Sequence, residues 1–274
     1  MNNLITRSLT GTVFVLLIVG SVIASTWIFA ILFLIVSILT QLEFYQLINK
    51  GAHKTQTYIG LGTGMFLYGT LAASAPGIGL TGINVIVLNL IPLVLVFVLA
   101  LYSPSANPFA DIGLTLTGTF YIALPFGLLN YFYLPSPLPN GANHGVLLGY
   151  FLILWLNDTA AYLAGSAIGK HRLFERISPK KSWEGSIGGA LFAILTAWLL
   201  SDYFTVLLLW QWLAIAIIIV VFGTLGDLVE SMLKRSLGIK DSGNKLPGHG
   251  GMLDRFDAVL LSAPVVFVFI AVFI

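Results

Sequence analysis

Residues 231–257 read SMLKRSLGIKDSGNKLPGHGGMLDRFD, and the rest of the chain is best read outward from them. The whole sequence is 58% hydrophobic and only 9% charged. This short stretch nevertheless holds Lys234, Arg235, Lys240, Asp241, Lys245, Asp254, Arg255 and Asp257. Glycines and Pro247 lie among them, so the backbone can turn tightly around a ligand. Mixed charge beside lipid-grade sequence is costly unless the charges engage one another, water or an ionic ligand. The pattern points to phosphate groups and a divalent metal.

The 274 residues taken together have a mean hydropathy of +0.96, which excludes an ordinary soluble domain. Without cysteine there is no disulfide framework and no thiolate chemistry. A spanning helix takes about 20 apolar residues. By that rule the chain divides into nine spans, near 9–24, 27–47, 57–74, 82–102, 109–133, 145–168, 185–202, 207–230 and 256–274. Backbone groups in hydrocarbon must be satisfied within their own segment, so the expected fold class is all-α, a polytopic integral membrane protein. The run after Arg7 is expected to be a retained first helix rather than a cleaved signal. No internal repeat suggests an inverted-repeat transporter.

Nine crossings place all 13 Lys and Arg on one side of the membrane, from Arg7 through Lys50 and Lys54 to the basic loops 169–184 and 231–255. The positive-inside rule makes that side, and the N-terminus, cytoplasmic. The expected division is an N-terminal helical part, 1–140, and a C-terminal catalytic part, 141–274, that carries those two loops.

Within the catalytic part, Asp227 and Glu230 stand three residues apart near the end of the eighth span, with Ser231 beyond them. Asp254 and Asp257 repeat the spacing at the start of the ninth, and each pair shares a helical face. Carboxylates also favour helix N-termini on their own account, but two pairs bracketing a basic, Gly-rich loop suit magnesium and substrate phosphates better. Gly248, Gly250 and Gly251 would let backbone N–H groups approach phosphate oxygens, and His249 is a further candidate contact. Asp158, after Asn157 in the sixth span, is a functional candidate because of its depth. The island SPKKSWEG at 178–185 reads either as an interfacial anchor or as a second phosphate-binding loop through Lys180 and Lys181.

These segments together resemble one family. Ser231-x-Leu233-Lys234-Arg235, Lys240-Asp241-Ser242-Gly243 and Leu246-Pro247-x-His249-Gly250-Gly251-x-x-Asp254-Arg255-x-Asp257 are similar to the signature of the phosphatidate cytidylyltransferases, or CDP-diacylglycerol synthases. The NDTAAY and SPKKSWEG stretches share the likeness, which covers residues 150–274; the first 140 match only as hydrophobic spans. The resemblance implies that CTP and phosphatidic acid are joined into CDP-diacylglycerol and pyrophosphate for phospholipid biosynthesis. It also implies magnesium, with potassium as a candidate second ion, and a homodimer. Charge placement makes the expected active site face the cytoplasm, from a multi-pass membrane protein that in a bacterium would sit in the cytoplasmic membrane.

On this reading Asp227, Asp254 and Asp257 hold the metal. Asp227, Asp254, Lys234, Arg235 and Asp158 form the catalytic set. Lys180, Lys181, Ser231, Lys240, Lys245, His249, Gly250, Gly251 and Arg255 contact phosphates. Two other classes stay open: a CTP-dependent lipid kinase, which would release CDP, and a transporter using Asp158 and Asp227 in an ion path. The topology is testable with reporters: one fused after Ile274 should lie outside the cell and one inserted near Gly51 inside. Finding both on one side would refute nine crossings.

Overall fold

The computed structural model describes residues 3–51, 53–80, 82–135, 142–239, 242–243 and 250–274. Ten helices carry the architecture among them: α1 (Asn3–Ala24), α2 (Thr26–Ile48), α3 (Thr57–Ser74), α4 (Leu90–Ala100), α5 (Pro108–Gly118), α6 (Leu124–Leu128), α7 (Gly145–Ile168), α8 (Trp183–Tyr203), α9 (Leu209–Ser236) and α10 (Leu253–Phe273). A 3-10 segment, Ile83–Asn89, leads into α4, and a π-helical turn, Thr119–Ala123, joins α5 to α6. Two small antiparallel hairpins complete the described structure: β1 (Leu134–Pro135) with β2 (Ala142–Asn143), and β3 (Arg172–Phe174) with β4 (Ser178–Ser182).

Every apolar segment of the sequence is helical where it is described. Among the described residues, six helical stretches are long and apolar enough to cross a membrane: Thr26–Ile48, Pro108–Phe132, Gly145–Ile168, Trp183–Tyr203, Leu209–Ser236 and Leu253–Phe273. Thr10–Ala24 and Asn84–Ala100 are shorter apolar helices. The chain is therefore a polytopic helical membrane protein.

Two details differ from the sequence expectation. The region 169–184 is not a plain loop, because β3 and β4 pair within it and His171 Nδ1 lies 2.6 Å from Glu184 Oε1. Helix α9 also runs on to Ser236, through residues expected in a loop. Met232, Leu233, Lys234 and Arg235 are good helix formers, and nothing breaks the helix before Gly238, whose φ of +67° is the left-handed geometry that ends helices.

The chain forms two compact units. The first contains Met1–Tyr131 and Leu237–Phe256. Its core packs Phe33 and Phe126 edge-to-face against Phe256, with ring centroids 5.9 and 5.1 Å away. Beside that core, Gln41 donates from Nε2 to the Tyr45 hydroxyl (2.9 Å) and the Gly60 carbonyl (2.8 Å), and Tyr45 donates to the Thr115 carbonyl (2.6 Å). These bonds tie α2, α3 and α5 together through groups that have no water to turn to.

The second unit contains Phe132–Ser236 and Asp257–Ile274. Within it, α7 and α8 pack closely because small residues face each other, the usual solution where lipid removes any hydrophobic drive between helices. A Cβ at Gly189 would lie 2.8 Å from the Asn157 carbonyl and 2.7 Å from its side-chain oxygen. Ser182 caps α8 by accepting from Gly185 N at 3.2 Å. Tyr150 of α7 meets Ser262 of α10 at 2.6 Å between hydroxyls. Gly189→Val should force α7 and α8 apart and cost about 1–3 kcal/mol, the usual range for overpacking. A thermal melt in detergent checks this; an unchanged midpoint would contradict the close approach.

Candidate functional site

Part of the second unit's charge gathers at one place. Asp227 and Glu230 lie on one face of α9, and Asp257 lies on α10. One carboxylate oxygen from each comes within 4.8 Å of the others. Helices α9 and α10 approach this closely because residue 226 is glycine, and a Cβ there would collide with the Asp257 carbonyl. Asp257 Oδ1 in turn accepts from Ala258 N at 2.7 Å.

Two lysines face this group. Lys181 Nζ lies 2.5 Å from Asp227 Oδ2, and Lys234 Nζ lies 2.5 Å from Glu230 Oε2. The Glu230 side chain has no exposed surface and that of Lys234 only 14%, so this pair is held away from solvent. Ser231 donates its hydroxyl to Asp227 Oδ1 at 3.2 Å, and Arg235 reaches the Ile177 carbonyl from Nε at 3.5 Å. Asp158 lies within electrostatic range of Lys181 and Asp227 and accepts from Asn157 Nδ2 at 3.3 Å. Lys180 is exposed while its neighbour Lys181 is half-buried against Asp227. Successive strand residues point to opposite faces, so β4 delivers only one of the two lysines here.

An all-oxygen donor set from three carboxylates suits a hard cation such as magnesium. Among the described residues, Asp227, Glu230 and Asp257 fit one. Asp254 was expected with Asp227 and Asp257. It lies in the first unit, where its Oδ2 accepts from Ser242 N (3.1 Å), Ser242 Oγ (2.9 Å) and Gly251 N (3.0 Å). The Gly251 N–H expected to meet phosphate thus points at Asp254. Gly250 has a φ of +81°, the left-handed region where glycine is favoured. Arg255 is exposed in the first turn of α10. Lys240, Asp241, Lys245, Gly248 and His249 lie outside the described residues.

One residue escaped the sequence reading. Glu43 of α2 is 2% exposed, and its carboxylate accepts from Ser242 Oγ (2.6 Å), Leu253 N (3.1 Å) and Met252 N (3.0 Å). A charged residue inside an apolar span was the available signal, the same one that singled out Asp158.

Carboxylates of α9 and α10 matched by lysines of α9 and β4 define a polytopic membrane protein with a charged, cation-compatible site among its helices. The cytidylyltransferase family model matches residues 5–273, and the chain belongs to that family. Among curated relatives, a "Phosphatidate cytidylyltransferase" of Staphylococcus haemolyticus (strain JCSC1435) is 41% identical over 157 residues, which is 57% of this chain and 58% of that protein. One of the same name from Staphylococcus aureus (strain COL) is 52% identical over 120 residues, 43% of this chain and 46% of that protein. The matched region therefore spans about half the length of these relatives.

The Glu230–Lys234 pair makes a direct prediction. Breaking a buried ion pair by removing one partner costs about 3–5 kcal/mol, because the other charge is left behind. Lys234→Met should therefore lower the thermal midpoint sharply, and Lys234→Met with Glu230→Leu should recover most of the loss. A double variant no more stable than Lys234→Met would show that the two charges are not coupled.

Proposed function

We propose that the chain transfers the CMP moiety of CTP to phosphatidic acid, forming CDP-diacylglycerol and pyrophosphate. The observation that carries this reading is the Lys181–Asp227 pair, which joins the SPKKSWEG strand to the carboxylates of α9 and α10. Family membership and the names of the relatives point to the same chemistry.

In the reaction a phosphate oxygen of phosphatidate attacks the α-phosphorus of CTP. A new P–O bond forms, the bond to the β-phosphate breaks, and pyrophosphate leaves with the electron pair. The nucleophile is already anionic near neutral pH, so positioning and electrostatics matter more than a strong base. Bound at Asp227, Glu230 and Asp257, magnesium would supply Lewis acidity and offset phosphate charge. Lys181 and Lys234 face triphosphate oxygens from beside those carboxylates, Ser231 orients Asp227, and Arg235 adds a forked cation. Asp158 completes the acidic network. Asp254 remains a candidate metal ligand on the sequence pattern, and the hydrogen bonds its Oδ2 accepts also shape the signature segment. For Lys180, Lys240, Lys245, His249, Gly250, Gly251 and Arg255, phosphate contact rests on residue chemistry and the sequence pattern. Potassium as a second ion and a homodimer rest on the resemblance. Nine crossings with a cytoplasmic N-terminus would open the site to cytoplasmic CTP.

Detergent-purified protein given radiolabelled CTP, phosphatidate and Mg²⁺ should place label in lipid and release pyrophosphate. Release of CDP would assign a lipid kinase instead. Asp227→Asn should lower turnover about 10²–10³-fold with insertion intact, the scale of a lost transition-state electrostatic contact. Lys181→Gln should carry most of the loss seen in the double Lys180→Gln/Lys181→Gln variant. Equal effects of the two single lysine changes would argue against the assigned geometry.

A further inference from the structure

Glu43 lies in a different helix from every residue discussed for the reaction, 199 residues from Ser242 and 210 from Leu253. Its carboxylate nevertheless meets both described edges of the signature segment. On one edge it accepts from the Ser242 hydroxyl, and on the other from the Met252 and Leu253 amides that open α10. The backbone is shaped to admit it: a Cβ at Gly251 would collide with Glu43 Oε1, and one at Gly243 would come within 3.0 Å of the same carboxylate. Ser242 also touches Asp254, so two carboxylates from distant parts of the sequence share one hydroxyl.

A helix start needs acceptors for its first amides, but neighbours in its own chain segment ordinarily supply them. Asp254, in the first turn, already accepts from Gly251 N and Ser242 N. Reaching instead for Glu43 of α2 places a buried acidic side chain in an apolar segment, which is expensive unless the group is used. The use visible here is to hold residues 242–243 and 251–253 in one arrangement. We propose that Glu43 is a positioning residue for the transferase reaction, clamping the signature segment so that Asp254 and Arg255 are presented in a fixed geometry. The inference rests on the transferase reading for its catalytic consequence, but the clamp itself is independent of that reading.

Glu43→Gln keeps the shape of the side chain, removes its charge and turns one acceptor into an N–H₂ group facing N–H or O–H donors. Hydrogen exchange on the purified full chain, without nucleotide or metal, should show faster exchange at Met252 and Leu253, with α7 amides unchanged. With CTP, phosphatidate and Mg²⁺, turnover of the folded protein should fall about 10²-fold, the scale of small misplacements in a reacting site. The KM for phosphatidate should stay near that of the unsubstituted protein. Unchanged exchange at Met252 and Leu253, or full turnover, would overturn the proposal. So would faster exchange spread evenly over the protein, because that marks general destabilisation. Ser242→Ala cuts the same link from the other edge and leaves α2 intact. It decides the matter if Glu43→Gln does not insert: faster exchange at the two amides supports the clamp, and unchanged exchange refutes it. Absence of labelled lipid with the unsubstituted protein would instead sink the transferase reading, leaving the exchange result to judge the clamp.

Discussion

A carboxylate inside a bundle of lipid-grade helices has no water to spread its charge into, so a partner must be built for it. The charged architecture of this protein follows from that constraint. Glu230 has Lys234 one turn along its own helix, and Asp227, whose side chain stays 36% exposed, also has Lys181 from a neighbouring strand. Glu43 has a hydroxyl and two amides, and Asp254 has two amides and the same hydroxyl. Each solution also fixes a side chain in space.

These solutions depend on close backbone approach, and glycine permits it. In the second unit, Gly226 lets α9 sit against the Asp257 carbonyl, and Gly189 lets α8 sit against Asn157. In the first unit, Gly243 and Gly251 leave room for Glu43. Packing with small residues is common between helices in lipid, but here the gain is more than van der Waals contact. Without the approach at residue 226, the oxygens of Asp227, Glu230 and Asp257 would not fall within 4.8 Å of one another.

The glycines of the signature segment therefore have two distinct explanations. Gly250 needs a left-handed backbone, and Gly251 needs space beside a carboxylate while its N–H serves Asp254. Read from sequence, both looked like donors for phosphate. A substitution at either would disturb the segment before any ligand arrived, so loss of activity there says little about phosphate contact. Lys180 and Lys181 carry a similar lesson. Adjacent and chemically identical, they are separated by the alternation of β4 into one exposed side chain and one that meets Asp227.

The sequence by itself determined the helical membrane class, since runs this apolar leave no other way to satisfy the backbone. It also marked out the short charged stretches, because charge is conspicuous where so little of it occurs. The i,i+3 spacing of Asp227 and Glu230 was legible too, because a helix places such residues on one face. Tertiary structure alone decided which carboxylates meet. Sequence spacing paired Asp254 with Asp257, yet the cation-compatible group contains Asp257 with Asp227 and Glu230, while Asp254 turns to Ser242 and Gly251. Only the fold brought Glu43 to a segment about 200 residues away. Local periodicity reports which face of an element is buried, but not what lies opposite it; that depends on long-range packing, and in lipid a buried charge must find its partner there.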